Sequence, residues 1–232
     1  MYKGAIFDLD DTLYNYEYAD ENAIGKLCEF AITSLGVSRE VFLEAYTHAK
    51  RLVKNTLNDC AAQHNRMLYC QRTLELLGLS SIKYALEMYD VYWDTFLDHM
   101  IVYDSVIPLF EDLKVNQILI AICTDLTAHI QHRKLHRLGI DSYVDFIVTS
   151  EETGVEKPHP HMFLACLEKM SLKQNQVLYI GDSFKKDILG AIQIGIKPIW
   201  LDREGIKREN REMNYCHVTN FAEIQKYFKD GT

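Results

Sequence analysis

The sequence predicts an α/β protein in which a parallel-sheet core is interrupted by a helical insert. Three observations carry this reading. A short, nearly continuous apolar run stands close to the first residue, a long stretch of purely helical periodicity follows, and from about residue 103 strand and helix patterns alternate. With 232 residues, the chain has room for one large domain or for a domain carrying a smaller insert.

Residues 5–9 (AIFDL) read as a strand of the kind buried on both faces of a parallel sheet. Helical spacing then takes over. Ile24, Leu27, Ala31 and Leu35 make a first apolar stripe that Gly36 ends. Val41, Phe42, Ala45, Ala49, Leu52 and Val53 make a second, and Met67, Cys70, Leu74 and Leu77 a third. Ile82, Leu86, Tyr89, Trp93, Phe96 and Met100 make a fourth. Four amphipathic helices with short connections predict a small bundle.

Beyond it, residues 118–123 (ILIAIC), 144–149 (VDFIVT), 177–180 (VLYI) and 197–201 (KPIWL) read as strands. Helices are predicted over 127–138, closed by Gly139, over 160–170, opening on Pro160, and over 184–194, closed by Gly195. Residues 202–220 are polar and weakly patterned, and 221–229 suit a last surface helix. The expected organisation is therefore a core of residues 1–15 and 101–232, with residues 16–100 inserted after the first strand.

Hydrophobic residues make up 48% of the chain and charged residues 25%, which argues against disorder. The net charge of −8 argues against a nucleic-acid-coating role, which needs a basic face to replace counterions. The six cysteines show neither CxxC nor zinc spacing, so reduced thiols in a cytoplasmic protein are expected. The N-terminus lacks the pattern of a signal peptide, and no run of about 18 apolar residues predicts a membrane span.

In a parallel α/β sheet, ligands bind beyond the carboxyl ends of the strands. The first strand ends in Asp8 and Asp10, the second in Thr124 and Asp125 ("ICTDL"), and the fourth in "GDSFKKD", with Asp182 and Asp187. The loop after the third is "TSEETGVEKPHP", with Lys157. These ends converge carboxylates, a hydroxyl and a lysine on one crevice, a set suited to a divalent cation and an anionic substrate. Crowded carboxylates resist burial unless a cation or a proton is shared among them.

"DLDDT", "CTD", "EKPHP" and "GDSFKKD", taken in this order, resemble the four motifs of the haloacid dehalogenase-like (HAD) hydrolase superfamily. The insert resembles that family's α-helical (C1) cap, and the resemblance implies a Rossmann-like parallel-sheet core. It also implies a role for each matching residue. Asp8 would be the nucleophile that forms an aspartyl-phosphate. Asp8, Asp182 and the backbone carbonyl of Asp10 would hold Mg²⁺. Asp10 would serve as general acid and then as base. Thr124 would donate to a phosphoryl oxygen, and Lys157 would neutralise developing charge. Asp187 and Thr12 would brace the metal site or Lys157 from behind.

Asp125 departs from the family, which often has Asn there. An altered substrate contact and a neutral local swap are equally consistent with it. Arg66, in "NTLNDCAAQHNRMLY", reads either as an anion clamp in substrate binding or as helix N-terminal polarity on a solvated face. Lys50, Arg51 and Lys54 form a basic run, usually a solvated surface, and a first place to look for substrate selection. His159 and His161 suit a surface or capping role, since the oxygen-rich ends favour Mg²⁺.

The resemblance points to a phosphatase for a small phosphomonoester: a nucleotide, a sugar phosphate or phosphoglycolate. Dehalogenases of the family do not need the second Asp, and no lysine of the insert stands out as the desolvated amine a phosphonatase-like member would use. The alternatives are a sugar phosphomutase of the same family and a catalytically silent binding module.

Overall fold

The computed structural model describes residues 2–58, 60–203, 205 and 214–229, and these divide into two compact units, Met1–Asn15 with Ile101–Thr232, and Tyr16–Met100. The first is built on a six-stranded sheet in which every strand is parallel to its neighbours. In chain order its elements are β1 (Gly4–Phe7), α5 (Val106–Val115, numbered after four helices of the second unit), β2 (Leu119–Thr124), α6 (Ala128–Leu138), β3 (Phe146–Thr149), the single turn α7 (Ser150–Thr153) and α8 (Pro160–Met170). Then follow β4 (Val177–Gly181), α9 (Leu189–Gln193), β5 (Lys197–Leu201), β6 (Cys216–Val218) and α10 (Gln225–Lys229).

The strand order is β3-β2-β1-β4-β5-β6. Ile6 pairs with Ala121 on one side and with Tyr179 on the other, so β1 lies at the centre, buried throughout. Its neighbours β2 and β4 carry the next two polar strand ends. The order reverses direction around β1, which is where an open parallel sheet leaves its crevice. Beneath the strands, Val148, Met162, Phe163, Cys166, Val177 and Tyr179 belong to one buried core cluster.

Several boundaries differ from the sequence reading. The third strand begins at Phe146 rather than residue 144, because Asp145 turns its carboxylate onto Ile120 N–H (2.8 Å) and Lys114 (2.6 Å). The helix expected over 184–194 is split: a wide π-helical turn, Phe184–Ile188, precedes α9. The polar stretch 202–220 contains β6, a three-residue strand at the sheet edge, while residues 206–213 lie outside the described residues. The helix α5 adds an element that the sequence reading did not single out.

The second unit holds α1 (Tyr16–Phe30), α2 (Arg39–Thr56), α3 (Arg66–Leu76) and α4 (Ser81–Asp98). Ser38, Asn65 and Ser80 cap the last three by accepting backbone N–H bonds. Helix α4 packs against both α1 and α3, and α3 against α2. Contact on two sides rotates the buried face of α4 from the expected stripe: Ala85, Met88, Tyr92, Trp93, Phe96 and Leu97 face inward, while Ile82 and Leu86 are exposed. Val41, in the expected stripe of α2, is likewise exposed. All six cysteines are free thiols, and among the described residues no helix is long and apolar enough to cross a membrane.

Candidate active site

Strand β1 continues one residue past its sheet pairing, where Asp8 N–H donates to Ile180 O (2.9 Å) and leaves the Asp8 side chain buried beyond the strand end. The chain then turns sharply, with Asp11 in the left-handed region at φ 60°. Arg203 holds that turn from outside, donating to the Asp11 and Thr12 carbonyls at 2.5 and 2.6 Å while its guanidinium lies 3.9 Å from the centre of the Tyr103 ring. Thr12 braces the next layer. Its hydroxyl stands 2.8 Å from Asp182 Oδ1 and 3.1 Å from Asp8 Oδ2, and accepts Asp182 N–H at 3.2 Å.

Asp8, Asp182 and Asp187 present carboxylate oxygens that all lie within 4.8 Å of one another. Lys157 enters this group from the third loop. Its Nζ donates to Asp8 Oδ1 at 2.5 Å and to Asp187 Oδ1 at 2.8 Å. Tyr179 OH and Ser183 N–H complete the coordination of Asp187, at 2.9 and 3.0 Å. The wide turn Phe184–Ile188 brings Asp187 back over the end of β4. Three carboxylates thus face one ammonium group in a buried site.

The electrostatics register that imbalance. Burial pushes Asp8 well above the usual carboxylate range; Lys157 opposes this, while Asp187 and Asp182 add to it. Asp182 is raised as well, by burial and then by Asp187. Burial disfavours the charged form of Lys157, but Asp187, Asp8 and Asp125 outweigh it and hold the ammonium well above its ordinary value. An all-oxygen donor set that is short of positive charge suits a hard divalent cation.

Asp10 points elsewhere. Its Oδ1 accepts from Lys134 Nζ at 2.6 Å and from Tyr14 OH, and its Oδ2 lies 3.3 Å from Gln131 Nε2. Burial alone would raise its pKa, but Lys134 and the hydrogen bonds from Lys134, Tyr14 and Gln131 hold it below the ordinary value. The Asp10 carboxylate is thus engaged by Lys134, Tyr14 and Gln131 and is not one of the three carboxylates that gather beyond β1 and β4. Thr124, at the end of β2, accepts from Gln131 Nε2 at 2.6 Å.

Lys134 and Gln131 escaped the sequence reading, although a signal was there. On the predicted helix 127–138 they share the inward stripe of Ile130, Leu135 and Leu138, and both are fully buried. A charged or amide side chain on an apolar stripe marks a position that needs a buried partner.

Asp125 has its carboxylate engaged by the protein. Oδ1 accepts Lys157 N–H at 3.0 Å and Oδ2 accepts Lys186 Nζ at 2.7 Å, so it anchors the loop that delivers Lys157. His159 is the N-cap of α8, its Nδ1 3.2 Å from His161 N.

Arg66 lies in the helical unit and is not on a solvated face; it is 4% exposed. It donates to His64 O at 2.7 Å and to Tyr16 OH, lies 3.8 Å from Asp20, and packs over the rings of Tyr69, Tyr92 and Trp93. Lys50, Arg51 and Lys54 line a cavity of about 420 Å³ in the same unit, with Tyr46, Thr47 and Asn55.

Comparison with known proteins gives the family. The chain is 37% identical over 205 residues to the ribulose-1,5-bisphosphate 5-phosphatase of Halopiger xanaduensis, covering 87% of this chain and 85% of that one. It is 31% identical over 226 residues to the glyceraldehyde 3-phosphate phosphatase of Methanopyrus kandleri, covering 95% and 92%. Among solved structures, the 2-haloacid dehalogenase of Pseudomonas syringae pv. Tomato superposes with a TM-score of 0.79 over the full length of both chains at 23% identity, a likeness of fold. The model of the haloacid dehalogenase-like hydrolases matches residues 2–195, which include every strand end of the site. The chain belongs to the haloacid dehalogenase-like hydrolase family.

Proposed function

We propose that this chain is a Mg²⁺-dependent phosphatase that hydrolyses a small phosphorylated sugar through an aspartyl-phosphate on Asp8. The observation that carries the reading is the convergence of Asp8 with Lys157, Asp182 and Asp187 beyond the ends of β1 and β4. The names of the relatives give the substrate class, since those reported above are phosphatases of phosphorylated sugars.

Asp8, Asp182 and the Asp10 carbonyl would hold Mg²⁺, with Asp187 fixing Lys157 beside them. When bound, the cation offsets repulsion between the anionic nucleophile and the anionic phosphate. Asp8 attacks phosphorus, the bond from phosphorus to the leaving oxygen breaks, and Asp10, having first taken a proton from solvent against the pull of Lys134, supplies that oxygen with it. Water then attacks the phosphoryl group on Asp8 and gives its proton to Asp10, which releases phosphate and restores the carboxylate. Lys157 neutralises charge during both transfers, and the Thr124 hydroxyl donates to a phosphoryl oxygen.

The helical unit, residues 16–100, acts in this reading as a cap that selects the leaving group, and the basic cavity beside Lys50, Arg51 and Lys54 is its candidate anion contact. Two observations favour a hydrolase over a silent binding module: every matching acid is present, and Lys157 is paired with the nucleophile.

The test is phosphate release from ribulose 1,5-bisphosphate, glyceraldehyde 3-phosphate, phosphoglycolate and a nucleoside monophosphate, with Mg²⁺ or with chelator. Mg²⁺-dependent release from a sugar phosphate is the expected result. Interconversion of sugar phosphate isomers without release would indicate a mutase instead.

A further inference from the structure

We infer that Lys134, with Gln131, is a positioning residue that sets the Asp10 carboxylate and ties it to Thr124 as one unit. This rests on the proposed acid–base role of Asp10.

Lys134 sits on the inward face of α6 with no exposed surface, and a buried ammonium is stable only against a close negative partner. Asp10 Oδ1 is such a partner, 2.6 Å away. Tyr14 OH donates to the same oxygen, and Lys134 Nζ lies 5.9 Å from the centre of the Tyr14 ring. Oδ1 is thus engaged by Lys134 from α6 and by Tyr14 from the segment after β1, and the orientation of the carboxyl group follows from both. Oδ2 is the oxygen left to act, and its protein contact here is the longer one, 3.3 Å to Gln131 Nε2.

Gln131 extends the unit. The same Nε2 reaches Thr124 Oγ1 at 2.6 Å and the Asp125 carbonyl at 2.7 Å. Because Gln131 donates to the Thr124 oxygen, the proton of Thr124 is directed away from it, here onto the Asp125 carbonyl at 3.2 Å, a long bond that the hydroxyl can exchange for another acceptor. One turn of α6 therefore controls two groups at once: the carboxyl that handles the proton and the hydroxyl that faces the phosphoryl oxygen. Helix α6 follows β2 after three residues, so both side chains arrive on a short, rigid connection. Neither residue reaches the nucleophile cluster; both act through another side chain.

A positioning role makes a prediction that a general packing role does not. Proton delivery to the leaving oxygen matters for an alkyl phosphate, whose alkoxide is a poor leaving group, and little for p-nitrophenyl phosphate, whose phenolate leaves without a proton. The experiment measures kcat/KM, which reports the first phosphoryl transfer, for both esters with wild type, Lys134→Met, Asp10→Asn and the double variant. Lys134→Met is expected to lower kcat/KM for the alkyl phosphate by about tenfold to a hundredfold and to change that for p-nitrophenyl phosphate by less than about threefold. In the Asp10→Asn background Lys134→Met is expected to have no further effect on either ester, the signature of one residue acting through the other.

Gln131→Leu supplies a second variant without a buried charge to rebalance. It is expected to lower kcat/KM for both esters through Thr124, which faces the phosphoryl group they share, and further for the alkyl phosphate through Asp10. Equal losses on both esters from Lys134→Met, or a Lys134→Met loss that persists in the Asp10→Asn background, would overturn the inference while leaving the phosphatase reading intact. Wild-type enzyme inactive on both esters would remove that reading, and the inference with it.

Discussion

Gly181 lies against the Asp187 carboxyl group so closely that a Cβ on Gly181 would stand 2.5 Å from both Asp187 Cγ and Oδ2. The last residue of β4 therefore has no side chain because the acid six positions later occupies its space. That acid holds Lys157, and Lys157 donates to Asp8. The bare strand end is part of the site.

Gly181→Ala should accordingly push Asp187 aside and loosen Lys157. A cost of about 1–3 kcal/mol is expected for overpacking at a buried position, with activity reduced more than stability alone explains. Thermal melts paired with phosphate-release assays check this. An alanine variant with unchanged melting and turnover would mean that Asp187 has room to move without consequence.

The raised carboxylates give a pH signature. An unfolded aspartate titrates near pH 4, whereas native Asp8 and Asp182 hold their protons to higher pH, chiefly through burial. Within that window these two groups bind more protons in the folded chain than in the unfolded chain, so their contribution to the stability of the metal-free protein falls as pH rises. Mg²⁺ favours the ionised carboxylates and should raise the melting temperature most toward the upper end of the window. Melting temperature against pH, in chelator and in Mg²⁺, measures both slopes. A metal-free protein that gained stability across that window would contradict the placement of these charges.

Arg66 separates a structural from a ligand-contact role in the helical unit. Its guanidinium is enclosed by Tyr16, Tyr69, Tyr92, Trp93 and Asp20, so Arg66→Ala should cost about 3 kcal/mol. For a chain of this size that is a fall of roughly 6–12 °C in Tm. If the variant melts like wild type but changes its substrate preference, Arg66 contacts substrate after all.

Much of the site was legible because its residues stand in short contiguous motifs at strand ends, and a strand end needs only an apolar run and a stop to be found. Asp8, Thr124 and Asp182 were found this way, and Lys157 in the loop that follows the third strand. Lys134 and Gln131 were missed because reading an amphipathic helix counts apolar positions and passes over polar ones sharing their face. The position of Asp187 over β4 depends on a wide turn that leaves helical periodicity almost unchanged. Strand β6, three residues of which only Val218 is fully buried, carries too little pattern to register. On α4 the apolar stripe was real but its phase was not, because contact with helices on two sides selects the face.

In the proposed reaction Asp8 carries the phosphoryl group, and the most direct test is to trap it there. Wild type quenched in acid during turnover of its best phosphomonoester with Mg²⁺, then mapped by peptide mass spectrometry, should carry one acid-stable phosphate on the peptide containing Asp8. Asp8→Asn, still folded by its melting curve, should carry none and release no phosphate. A wild-type enzyme that turns over without any acyl phosphate, or with phosphate on another side chain, would contradict the account.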